Sequence, residues 1–70
     1  MNFFGEQLRQ ERKLAQLSVL ELSQKTGLSE DVLIDIENGK LFPDVRQLMV
    51  LSKSFGKHEG YFFTKLVYKI

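Results

Sequence analysis

The sequence predicts an all-α fold, a compact bundle of four to five short helices built around a helix-turn-helix. Three observations carry that expectation. Apolar residues recur at spacings of three and four along most of the chain, as one buried helix face requires. Capping signatures open three segments: Ser18 with Glu21, Ser29 ahead of Glu30, and Asp44 with Gln47. Each offers a side-chain oxygen to a backbone N–H that a helix start leaves unpaired. Gly27, Gly39 and Gly56 then stand where the periodic segments stop.

A first helix is expected over residues 3–13. Phe4 and Leu8, with the later Leu14 and Leu17, supply its apolar positions, and Asn2 is available as a cap. The second is expected over 19–25, opened by Ser18 and anchored inward by Leu22, with Gly27 as a left-handed stop. Ser29 can cap again two residues later, so the third helix, 30–38, starts almost where the second ends. Val32, Leu33 and Ile36 form its apolar face, and Asn38-Gly39 is its stop. Two helices joined by so few residues must cross steeply, which is the helix-turn-helix arrangement.

Leu41-Phe42-Pro43 follows as an extended link, because proline disfavours helical backbone in the residue before it. Asp44 caps a fourth helix whose stripe is Val45, Leu48, Leu51 and Phe55, and Gly56 ends it. Tyr61-Phe62-Phe63 should form a short or irregular fifth element, since Gly60 is a poor helix residue. Over 64–70, Thr64, Leu66, Tyr68 and Ile70 alternate with Lys65, Val67 and Lys69. That period of two favours a short C-terminal strand, which would need a partner segment or chain to satisfy its backbone.

Seventy residues make one domain, 1–70, and 43% hydrophobic residues suffice for a helical core. With no cysteine, neither a disulfide nor a cysteine-based zinc site can staple it. The first residues lack the apolar region of a signal peptide. No apolar run approaches the roughly 20 residues that span a bilayer. A soluble cytoplasmic protein with no membrane contact is expected. No phosphate-binding glycine loop, no nucleophile beside a base and no metal-ligand spacing is present, and His58, the sole histidine, reads as an exposed turn residue. No enzymatic activity, cofactor or metal is expected.

Net charge is only +1, weak support for a nucleic-acid binder taken alone. Its distribution says more. Residues 29–39 carry Glu30, Asp31, Asp35 and Glu37 with no base at all, whereas in residues 40–70 Lys40, Arg46, Lys53, Lys57, Lys65 and Lys69 outnumber Asp44 and Glu59.

Residues 17–43, LSVLELSQKTGLSEDVLIDIENGKLFP, resemble the helix-turn-helix of the phage repressor and Cro-type (xenobiotic-response-element, XRE) family. Ile36-Glu37-Asn38-Gly39-Lys40, followed by Pro43, is the most specific part, and the likeness extends over about residues 4 to 63. The resemblance implies a lambda-repressor-like bundle and a sequence-specific duplex-DNA-binding transcriptional regulator, acting as a homodimer on half-sites about one helical turn apart. It puts Glu30, Asp31, Ile34 and Asp35 at base-reading positions and Ser18, Ser29, Asn38 and Lys40 near the DNA backbone. It also implies a structural ion pair between Arg12 and Glu37. Leu66, Val67, Tyr68 and Ile70 are the candidate dimer contact.

This chain departs from the family pattern in two ways. Val19 stands where the family commonly has glutamine, removing one polar contact. Carboxylates at base-reading positions match purine edges poorly and repel phosphate. Glu30 and Asp31 serve equally well as complements to the positive end of the helix dipole, but mid-helix Asp35 does not. Ser18 and Ser29 are needed as caps with or without DNA. Tyr61-Phe62-Phe63 could stack single-stranded bases, but such a cluster is more often core or dimer interface. The acidic helix supports an alternative to DNA binding: a helix-turn-helix scaffold turned to protein binding through Asp31, Ile34 and Asp35, as an antirepressor or adaptor.

Overall fold

The computed structural model describes residues 4–62. Within them the chain forms α1 (Phe4–Leu14), α2 (Val19–Thr26), α3 (Glu30–Glu37) and α4 (Val45–Ser54), with no strand. Tyr61 and Phe62 are helical again at the edge of this range. Phe63, the strand expected at 64–70 and the tail residues Leu66, Val67, Tyr68 and Ile70 lie outside the described residues.

Local chemistry accounts for where the helices start. Ser18 Oγ accepts from the Glu21 N–H at 3.1 Å while Glu21 Oε1 accepts from the Ser18 N–H at 2.8 Å, a complete capping box. Asp44 and Gln47 repeat it at α4, at 2.8 and 3.0 Å. Ser29 caps α3 through the Val32 N–H at 3.2 Å. The ends are equally local. Gly27 takes φ 78° and sends its N–H to the Ser23 carbonyl at 2.8 Å. α1 stops without a glycine: Gln16 adopts φ 59°, and the N–H groups of Leu17 and Gln16 return to the carbonyls of Arg12 and Lys13, both at 3.0 Å. That is the paired-bond stop usually built on glycine.

The helices bury one shared core. α1 packs on α3, α3 on α2, and α2 on α4. Phe4 and Leu8, Leu22, Leu33 and Ile36, and Leu48 and Leu51 meet there with Phe62, all essentially without solvent contact. Phe62 meets Phe4 and Phe55 edge-on at 5.2 and 5.9 Å. Its N–H donates to the buried Ser52 Oγ, which in turn donates to the Leu48 carbonyl. Tyr61 is half-buried beside it and donates its hydroxyl to Glu11 at 2.9 Å.

Two apolar residues do not take the places their spacing suggested. Leu14 is 81% exposed. It stands six residues after Leu8, about 120° away around the helix, so it cannot share that face. Val45, the first residue of α4, is exposed, and the stripe begins at Leu48.

Gly5 sets how closely α1 approaches α3. A Cβ there would lie against the backbone carbonyl oxygens of Glu37 and Ile36, the latter at 2.5 Å. Backbone atoms cannot swing aside as a side-chain tip can. Gly5→Ala should therefore destabilise the fold by about 1–3 kcal/mol, the usual range for overpacking. Gln16→Gly should act oppositely and stabilise it by about 1 kcal/mol, because it removes a left-handed non-glycine residue. Urea denaturation of the two variants beside the parent chain checks both signs.

Candidate nucleic-acid interface

α3 divides into two faces. Leu33 and Ile36 are fully buried and Val32 is half-buried, while Glu30, Asp31 and Ile34 are exposed and Asp35 is half-buried. Burying each of the two core side chains contributes about 1.5–3 kcal/mol. The like-charge pair Asp31 and Asp35, one turn apart, opposes this by only about 0.2–0.5 kcal/mol. The helix therefore forms in spite of its charge. Among the described residues no base pairs with the Glu30, Asp31 or Asp35 carboxylates.

The turn before α3 is braced on both sides. Ser23 Oγ donates to the Leu28 carbonyl at 2.6 Å, and Thr26 Oγ1 donates to the Leu22 carbonyl and accepts from the Leu28 N–H. α2 and α3 are thereby held as a unit. Their exposed caps differ electrically. At α2 the Glu21 carboxylate occupies the N-terminus, the place an incoming phosphate would use. The hydrogen bond from the Ser18 backbone N–H holds its pKa below the usual carboxylate range. At α3 the third position is Val32, so no such box closes, although Glu30 and Asp31 stand in its first turn. Among the described residues nothing accepts from the Ser18 or Ser29 hydroxyl, so each can donate its hydrogen while the oxygen caps.

At the other end of α3 the acid is neutralised from α1. Glu37 is buried, its side chain 5% exposed. Arg12 grips it with two bonds, Nε to Oε2 at 2.7 Å and Nη2 to Oε1 at 3.1 Å, and its Nη1 donates to the Leu17 carbonyl at 2.9 Å. The hydrogen bond to Glu37 raises the Arg12 pKa above the ordinary arginine value. Arg9, which the motif reading passed over, joins from one turn earlier on the same helix face. Its Nε faces Glu37 Oε1 at 3.4 Å and its Nη2 donates to the Glu37 carbonyl and to Asn38 Oδ1, at 3.2 and 3.0 Å. The three-residue spacing from Arg12 was the available signal.

Asn38 and Lys40 are exposed beyond this cluster. Gly39, at φ 78°, turns the chain there, and the Lys40 N–H returns to the Asp35 carbonyl at 2.8 Å. Among the described residues Lys40 has no ion pair. His58 is an exposed turn residue whose Nδ1 accepts from the Gly60 N–H. No group of three metal-ligating side chains occurs among the described residues. Glu37→Ala should destabilise the fold by about 3 kcal/mol or more, since it strands the Arg12 guanidinium against the core. Arg9→Ala should lose under about 1 kcal/mol, because that side chain keeps a third of its solvent contact. Chemical denaturation of the two variants measures the contrast.

A family model described as helix-turn-helix matches residues 8–62. No curated protein and no solved structure matches the chain. Among the described residues no helix is long and apolar enough to cross a membrane. The match takes in α2, the braced turn, α3 with its Glu37 cluster, and α4. By that match and this arrangement, the chain belongs to the Cro/C1-type helix-turn-helix (XRE) family of DNA-binding, non-enzymatic regulator domains.

Proposed function

We propose that this protein is a sequence-specific duplex-DNA-binding transcriptional regulator of the repressor/Cro type, acting in the cytoplasm as a homodimer. The observation that supports it is the two-faced α3 within a chain of this family: Leu33 and Ile36 fix the inner face while Glu30, Asp31 and Ile34 stay free for a partner. On this reading Glu30, Asp31, Ile34 and Asp35 face base edges. Ser18, Ser29, Asn38 and Lys40 donate to phosphates. The apolar tail Leu66, Val67, Tyr68 and Ile70 joins the protomers.

The α3 carboxylates that no base among the described residues compensates favour a second reading, in which Asp31, Ile34 and Asp35 dock on the basic DNA-binding face of another regulator. An antirepressor or adaptor would present such a surface. Asp35→Arg separates the two: it tightens binding to DNA under the first reading and abolishes partner binding under the second. Fluorescence anisotropy with a mixed-sequence duplex is the direct measurement. The expected result is binding at low salt that weakens steeply as salt rises and strengthens in Asp35→Arg. Absence of binding at about 50 mM salt, where phosphate contacts are strongest, sinks the DNA reading.

A further inference from the structure

Asn38 is exposed, yet its amide oxygen has a partner in Arg9. Arg9 Nη2 lies 3.0 Å from Asn38 Oδ1 and 3.2 Å from the Glu37 carbonyl, and Arg9 Nε is anchored on Glu37 Oε1 at 3.4 Å. A guanidinium has donors and no acceptor. It must therefore hold the oxygen of the Asn38 amide, which turns the two Nδ2 hydrogens away from it. Among the described residues nothing accepts from Nδ2. DNA phosphates offer acceptors only, so the orientation of this amide decides between attraction and repulsion.

The end of α3 needs such help. A helix C-terminus carries partial negative charge, and α3 has no basic residue in its last turn. Arg9 supplies from α1 both the missing positive charge and a donor to the last-turn carbonyl of Glu37. Glu6 also stands near it, with Oε2 4.0 Å from Arg9 Nη1.

We infer that Arg9 is a positioning residue for DNA-backbone binding: it locks the Asn38 amide with its donors outward, toward a phosphate. This rests on the duplex-DNA reading above. Arg9 does not act simply as a cation, and Arg9→Lys separates the two roles because it keeps the charge but loses the planar fork that spans Glu37 and Asn38.

Anisotropy titrations with a short mixed-sequence duplex, over a series of salt concentrations, compare the parent chain with Arg9→Lys, Asn38→Ala and the double variant. Asn38→Ala should weaken binding roughly tenfold, the worth of one hydrogen bond to a charged group. Arg9→Lys should weaken it by a similar factor with the salt slope unchanged, and the double variant should be no weaker than Asn38→Ala. In ¹⁵N spectra of the free protein, the Asn38 side-chain amide should move toward the position of an unrestrained asparagine in Arg9→Lys.

Parent-like binding by Arg9→Lys would overturn the inference, as would single losses that multiply in the double variant; either leaves the DNA reading intact. Parent-like binding by Asn38→Ala removes the phosphate contact and the inference with it. Failure of the parent chain to bind any duplex removes the DNA reading itself. Each variant retains the Arg12–Glu37 fork, and thermal melts verify that it folds.

Discussion

The buried carboxylate of Glu37, held between two arginines of α1, is the interaction on which the placement of α3 depends. Its side chain is withdrawn from water, and a charge in that position is tolerable only when its lone pairs are filled. Arg12 fills them in a two-bond fork and reaches on to the Leu17 carbonyl, so the same guanidinium ties α3 to the loop that leads into α2. The fork is within reach because Gly5 lets the two backbones come together without a Cβ between them. Close approach, buried charge and loop position are thus one constraint with three parts. Around it, Leu8, Leu33 and Ile36 add the undirected share of the packing energy.

The electrostatics of α3 follow from that arrangement. Four acids stand on one short helix, yet among the described residues only the last is compensated, and the compensation comes from another helix. The near end, with Glu30, Asp31 and Asp35, meets any partner as an acidic surface. The far end, with Asn38 held on the Arg9 guanidinium and the exposed Lys40 two residues on, meets it with hydrogen-bond donors. A polyanion would engage the far end readily and the near end only through contacts strong enough to outweigh repulsion. A basic protein surface would engage them in the reverse order.

What could be read in the sequence was what local chemistry determines. Ser18 with Glu21 and Asp44 with Gln47 form the capping boxes their spacing announced, because both partners lie within one turn of each other. Gly27 stops α2 for an equally local reason. The end of α1 was not legible: Gln16 takes the left-handed conformation with no glycine to mark it, held there by returning bonds and by Arg12. Leu14 was misjudged because a spacing of six is neither three nor seven, so a residue that looks apolar in sequence faces water. Arg9 eluded the motif because its partners, Glu37 and Asn38, lie 28 and 29 residues away, and only the register of α1 against α3 brings them together. For the site, the family pattern supplied candidate positions, but not which way the Asn38 amide points.

The braced turn between α2 and α3 has a consequence for how such a domain can change over time. Ser23, Thr26 and Leu28 bond among themselves, and Leu33 and Ile36 anchor the helix, so the outward side chains at positions 30, 31 and 34 carry little of the folding weight. Exchanges at surface positions of this kind usually shift stability by less than about 0.5 kcal/mol. Those three positions are therefore free to drift under selection for a new target while the scaffold stays whole. An acidic face can arise, or be erased, in a handful of mutational steps without passing through an unfolded ancestor.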